Sequence, residues 1–198
     1  MRILFIADKE SEGYWDYFSR ENFPQVDLIV SCGDLKAEYL SFLTTMTSVP
    51  VLYVHGNHDD SYEQKPPEGC ICIEDDIYVH EGVRFLGLGG CMRYKQGIHQ
   101  YTEKQMSKRI KKLWWKLLYH KGFDVLVTHA PAAGFHDDES QCHQGFACFL
   151  HLIKKYNPKY FVHSHVHMNY GRQFPREDVL GDTKVFNAYD HFIVELDN

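Results

Sequence analysis

Eight short runs of apolar, largely β-branched residues punctuate the chain, and they limit the folds open to it more than any other feature. The runs are Arg2–Ala7, Asp27–Ser31, Pro50–Val54, Gly82–Leu88, Asp124–Thr128 and Lys159–His163, followed by a final pair near Lys184–Ala188 and His191–Leu196. Runs of this length and composition read as strands. Several are apolar at nearly every position, so both of their faces must be covered. Between them, Glu12–Arg20, Lys36–Met46, Tyr101–His120 and Gly145–Tyr156 read as helices. In the third, Met106, Ile110, Leu113 and Leu117 form an apolar stripe, while Lys104, Lys108, Arg109, Lys111, Lys112 and Lys116 fill other faces. The lysines read as the solvated side of an amphipathic helix rather than as a nucleic-acid surface. Strands alternating with helices predict a layered α/β fold.

With 198 residues, the chain suits one domain over 1–198. Asp60–Gly69, with Pro66-Pro67, reads as a loop too short to link two domains. Gly87-Leu88-Gly89-Gly90 lacks the later glycine of a dinucleotide fingerprint and reads as a turn. No apolar run approaches the roughly 20 residues of a membrane span. The apolar start ends at Asp8, short of a secretion signal, which predicts a cytoplasmic protein. The six cysteines then read as reduced thiols, with metal binding at Cys70 and Cys72 a minor alternative. A net charge of −6 argues against a general nucleic-acid binder and favours small substrates. Oligomeric state is not legible. The 13 histidines, concentrated late in the chain, direct attention to metal.

Five strand ends carry residues able to bind a hard or borderline ion: Asp8-Lys9-Glu10, Gly33-Asp34, Gly56-Asn57-His58-Asp59, His129 and His165-Val166-His167. Each has an ordinary reading alone, since Asp and Gly-Asn build turns and a single histidine is more often simply satisfied. Turn chemistry has no need of histidine, however, and the set as a whole points to function. In open α/β sheets ligands bind beyond the carboxyl ends of the strands, so the five sets should meet on one rim. Alternate residues of an extended segment face one side, which lets His165 and His167 serve neighbouring ions, with His163 a spare on the same face.

In this order, each after a strand, the motifs resemble those of the calcineurin-like metallophosphoesterases, here a small bacterial-type, single-domain member. That family carries Asp-x-His, Gly-Asp, Gly-Asn-His-(Asp/Glu), a lone His and Gly-His-x-His. The resemblance runs from residue 8 to residue 167. It implies a four-layer α/β/β/α sandwich of two mixed β-sheets flanked by helices. It also implies two divalent ions, the first held by Asp8 and His167, the second by Asn57, His129 and His165, with Asp34 bridging. Asn57 and His58 would meet the substrate, with His58 oriented by Asp59. The implied activity is hydrolysis of a small phosphodiester or phosphomonoester, or of a nucleotide, by a hydroxide shared between the ions. His58 would stabilise the developing charge or protonate the leaving alkoxide.

The chain departs from the pattern at two motif positions. Glu10 stands where the family has its first histidine, giving an oxygen-rich first site of Asp8, Glu10, Asp34 and one imidazole. Such a site favours Mn²⁺, with Fe²⁺, Zn²⁺ and Mg²⁺ as alternatives. The departure also keeps open a second reading, a metal-binding scaffold on the same fold with weakened catalysis. Ser164 replaces a glycine, with little expected effect. Two further features bear on substrate. Arg93 and Tyr94 follow the strand ending at Leu88, where an arginine fork can reach a phosphate. Ala132–Gln144, carrying His136, Asp137, Asp138, Glu139 and His143, leaves the rim either as a wall of the substrate pocket or as an exposed polar loop.

Overall fold

Along the first strand, β1 (Arg2–Ala7), Ile3, Phe5 and Ala7 join one core cluster while Leu4 and Ile6 join another. Side chains of a strand alternate between faces, so a strand apolar at every position must lie between two packed layers. The computed structural model, which describes residues 1–137, 140–168 and 175–196, supplies those layers. β2 (Leu28–Ser31), β3 (Val51–Tyr53) and β4 (Ile71–Cys72) continue from β1 as parallel neighbours. The last strand, β13 (Asp190–Glu195), closes the other edge of this five-stranded sheet antiparallel to β1.

A second sheet of six strands takes the order β11-β12-β10-β9-β6-β5, from β5 (Asp76–His80), β6 (Val83–Leu88), β9 (Val125–Thr128), β10 (Tyr160–His163), β11 (Glu177–Leu180) and β12 (Thr183–Asn187). Its four central strands run parallel, and the edge strands β5 and β11 run antiparallel to their neighbours. Phe85, Val125, Val127, Tyr160 and Val162 meet Ile3, Phe5, Val30 and Leu52 between the sheets. Outside the first sheet, α1 (Ala37–Thr47) lays Tyr39, Leu40 and Leu43 on Leu4, Ile6 and Ile29. Outside the second, α2 (Glu103–Lys112), α3 (Trp114–Tyr119) and α4 (Ala147–Tyr156) cover Leu86, Leu126 and Phe161. The result is the four-layer α/β/β/α sandwich of two mixed sheets. No helix among the described residues is long and apolar enough to cross a membrane.

Helices differ from the sequence expectation in two places. Only Glu12–Tyr14 of Glu12–Arg20 is helical, as a 3₁₀ turn. Gly13 weakens the helix, and the aromatic residues pack tertiary instead, Trp15 on Tyr39 and Phe18 on Phe42. Tyr101–His120 is two helices. The first begins with a capping box, in which Thr102 Oγ1 accepts the Gln105 N–H and Gln105 Oε1 accepts the Thr102 N–H. The second is offset where the Leu113 N–H donates to Ile110 O, a tighter i to i+3 bond that interrupts the α ladder. The edge strands β4, β5 and β11, and the small pair β7 (Cys91–Met92) and β8 (Gln100–Tyr101), lie outside the eight apolar runs because edge and isolated strands need no apolar surface on both faces. The six cysteines are all free.

Phe5 is fully buried between the sheets, so Phe5→Ala should lower the unfolding free energy by about 3–5 kcal/mol. Urea unfolding followed by circular dichroism checks this, and a loss under about 1 kcal/mol would mean that the inter-sheet core is not tightly packed.

Candidate metal centre

Because β1, β2 and β3 are parallel in one sheet and β9 and β10 in the other, their carboxyl ends deliver Asp8, Asp34, Asn57, His129 and His165 to one rim. Short backbone bonds clip the loops together: Asp8 N–H to Gly33 O at 3.2 Å, and Ser164 N–H to His129 O at 2.9 Å. Three of the candidate ligands adopt left-handed backbone, with φ of 61° at Asp8, 57° at Asp34 and 68° at His165. Gly33 (φ 97°) precedes Asp34, and a Cβ on Gly56 would collide with the Asp34 carboxylate, so both glycines are needed for this close approach.

At the centre is His129, fully buried. Its Nδ1 lies 2.8 Å from Cys32 O, and since a carbonyl only accepts, Nδ1 carries a proton and donates it there. The bond joins the second sheet to the first and aims Nε2 inward. There it meets Asn57 Oδ1 at 3.0 Å, His165 Nδ1 at 3.1 Å and Asp34 Oδ2 at 3.4 Å. His165 is tied from outside in the same way, its Nε2 donating to Cys142 O at 2.6 Å and leaving Nδ1 turned inward. Imidazoles whose outer nitrogen is committed to a carbonyl are set up to ligate a metal through the inner one. Asp34, His129 and His165 each offer a ligand atom, all within 4.8 Å of one another.

Beside this group, Asp8 Oδ2 accepts the Ser164 hydroxyl and, at 3.3 Å, the His165 N–H, while its buried Oδ1 has no hydrogen-bond partner. His167 Nε2 stands 3.6 Å from that oxygen. An orphaned carboxylate oxygen facing an imidazole is consistent with a cation between them, and the whole donor set fits two divalent ions. Ser164, expected to matter little, thus holds a candidate ligand in place.

The electrostatics reflect this crowding. Burial opposes charge on Asp34, but His129 and the His58 N–H outweigh it and hold the carboxyl far below its usual range. Burial likewise opposes a proton on His129, and Asp34 reverses this, raising the ring to about 9. His165 is pushed down to about 3, by burial and then by His129.

Asp59 makes no hydrogen bond to the His58 ring. Its Oδ2 accepts the backbone N–H groups of Asp34 (2.8 Å) and Gly56 (2.7 Å), bracing the two loops against each other. Burial, then the charge of Asp34, raises this carboxyl to about 7. His58 is exposed, and its N–H donates to Asp34 Oδ1 at 2.7 Å.

The rim encloses a cavity of about 300 Å³ lined by Asp8, Asp34, Asn57, His165 and His167 together with His58, Tyr94, Cys142 and His143. Asn57 Nδ2 donates to the Tyr94 hydroxyl at 3.4 Å.

Two expected site residues lie elsewhere. Glu10 is not among the converging donors, because its Oε1 is taken up by Lys36, accepting the backbone N–H at 3.1 Å and pairing with the ammonium at 3.9 Å. Arg93 is exposed and donates to Gln100 O at 3.3 Å, so Tyr94 rather than Arg93 lines the cavity. His163 is buried against His136, 3.0 Å away, and burial followed by that neighbour lowers it to about 3. His136 also meets Asp178 at 3.2 Å and so fastens its loop to β11. Asp138 and Glu139 lie outside the described residues. Sequence reading missed Cys142, whose role is carried by its backbone carbonyl and leaves no side-chain signal.

A sequence profile of the calcineurin-like phosphoesterases matches residues 1–169. The chain belongs to this family. Membership implies metal-dependent phosphoester hydrolysis, and the donor set above is the kind that such chemistry uses. The UPF0046 protein K07C11.7 from Caenorhabditis elegans is 22% identical over 204 residues, covering 86% of this chain and 65% of that protein. The chain therefore spans slightly under two thirds of that relative's length. Among solved structures, TT1561 of Thermus thermophilus aligns at 17% identity over 96% of this chain and 89% of its own, with a TM-score of 0.59. GAP50, described as the anchor in the inner membrane complex of Plasmodium, aligns at 14% identity over 94% and 70%, with a TM-score of 0.52. At these identities the two structures establish shared fold alone.

Asp59→Ala strips the buried acceptor from two loop amides and should cost roughly 2–5 kcal/mol of stability. Urea titration of the variant reads this directly, and wild-type stability would show that water replaces the carboxylate without loss.

Proposed function

We propose that this family member hydrolyses a small phosphodiester or phosphomonoester, nucleotides included, at the rim shared by the two sheets. The observation that carries the reading is the convergence of His129 Nε2, His165 Nδ1, Asn57 Oδ1 and Asp34 Oδ2, donors whose outer contacts leave their inner atoms for an ion. In this reading Asn57, His129, His165 and Asp34 hold one ion and Asp8, Asp34 and His167 the other. Bound ions would supply Lewis acidity toward the phosphate oxygens and lower the pKa of a water. In this reading Asp34 is the bridge between the two donor groups, with which it lines one cavity. His58, exposed at the cavity and not needed for ligation, meets the phosphate and gives a proton to the leaving oxygen. The Tyr94 hydroxyl, fixed by Asn57, forms the adjoining wall in place of Arg93.

With Glu10 turned to Lys36, the first site has two carboxylates and one imidazole, still an oxygen-rich set that favours Mn²⁺ over Zn²⁺. The same observation supports a second reading, a metal-binding scaffold with a weakened first site. We place the chain in a reducing, cytoplasmic compartment, in keeping with its six free cysteines.

Metal-stripped protein should regain hydrolysis of bis-p-nitrophenyl phosphate or p-nitrophenyl phosphate when Mn²⁺ is restored. His58→Ala should lower kcat by ~10²–10⁴-fold with bound metal unchanged. No turnover above the variant with Mn²⁺, Fe²⁺, Zn²⁺ or Mg²⁺ would favour the scaffold. Glu10→Ala should leave metal content unaltered by elemental analysis, and loss of an ion would return Glu10 to the ligand set.

A further inference from the structure

A second group of metal-binding side chains lies away from the Asp34 centre. His55, at the end of β3, and His99, in the loop before β8, stack with ring centroids 4.3 Å apart and 12° between planes. Glu63, at the end of the 3₁₀ turn Asp59–Glu63, brings Oε1 to 4.0 Å from His99 Nε2. Ligand atoms of the three residues fall within 4.8 Å of one another.

We propose that His55, His99 and Glu63 form a separate site for one borderline divalent ion, of which Zn²⁺ is the type. Two imidazole nitrogens and one carboxylate oxygen make a three-ligand set that zinc uses with a water in its fourth position. The first support is His99. Its side chain is only 5% exposed, and neither ring nitrogen has a hydrogen-bond partner. Buried polar atoms without partners are rare, and an ion is one of the things that satisfies them.

The second support is the setting of His55. Its Nδ1 lies 3.1 Å from Glu74 Oε2, and the same oxygen accepts the His55 backbone N–H at 3.0 Å. Arg109 binds the other Glu74 oxygen, so that carboxylate is ionised and the His55 Nδ1 must donate. Nε2 is thereby left as the free lone pair. A histidine that donates to a carboxylate from one nitrogen and ligates through the other is a recurrent arrangement around zinc. Tyr53 and Tyr62 pack against the His55 ring at 5.5 and 5.6 Å and hold its plane.

Stacked in parallel, the two rings do not point to a common centre. His99 must swing out of the stack, and no hydrogen bond to its ring opposes the swing. Glu63, whose side chain is 55% exposed, is free to draw in from 4.0 Å to the roughly 3.3 Å that two bonds of about 2 Å at a tetrahedral ion require. An ion here would tie the turn that follows His58 to the loop that carries His99. The inference does not depend on the proposed hydrolysis.

Zinc content after equilibrium dialysis of the full chain tests it, alongside the visible absorption of the Co²⁺ form. His99→Asn should lower bound Zn²⁺ by one equivalent and remove the intense tetrahedral Co²⁺ bands. Glu63→Gln, on the surface and harmless to folding, should weaken that equivalent at least tenfold. Both variants should keep Mn²⁺-dependent turnover. The same one-equivalent loss should follow when His99→Asn is added to a chain whose Asp34 centre is disabled by His165→Ala and His167→Ala, which leaves the His129 bond between the sheets in place. Zinc content and Co²⁺ spectrum indifferent to both His99→Asn and Glu63→Gln in folded protein would overturn the site.

Discussion

The hydrogen bond from His129 Nδ1 to the Cys32 carbonyl spans the two sheets at the point where both deliver their loops to the rim. It sets the inward face of His129, and around that nitrogen Asn57, His165 and Asp34 take their places. It does so without water, because His129 and Cys32 are fully buried, and in that setting a missing partner is costly. The sandwich and the donor cluster are therefore one object: the sheets must pack in register for the imidazole to find its carbonyl.

Much of the fold was legible because burial on both faces writes itself into composition. Strands such as β1, β2 and β9 are apolar at every or nearly every position. The edge strand β11, with the sequence Glu-Asp-Val-Leu, faces no such demand and is held by its ladder to β12. Glu12–Arg20 misled for a related reason. Its apolar residues are spaced as in a helix, but Tyr14, Trp15 and Phe18 find ring partners on other segments, and those contacts outweigh local preference.

The candidate centre was legible where a side chain at a strand end is the message. Asp8, Asp34, Asn57, His129, His165 and His167 all come to one rim. It was illegible wherever the decisive group is backbone or a distant partner. Nothing local in Asp8-Lys9-Glu10 tells that Glu10 will be captured by the Lys36 amide. Asp59 reads as a neighbour of His58, yet its carboxylate serves amides on two loops. Cys142 works through a carbonyl that every residue possesses.

The left-handed backbone at Asp8, Asp34 and His165 bears on how such a centre can be lost or kept over time. Aspartate, asparagine and histidine are the non-glycine residues that tolerate this conformation best, so at these positions the residue types that hold ions are also those that relax the turns. A drift from ligand to alanine or valine would meet backbone resistance even in a lineage with no use for catalysis, whereas a drift to asparagine or glycine would meet little. Relatives that hold no ion here should therefore carry asparagine or glycine at these three places, and the loop shapes of the rim should outlive its donor set.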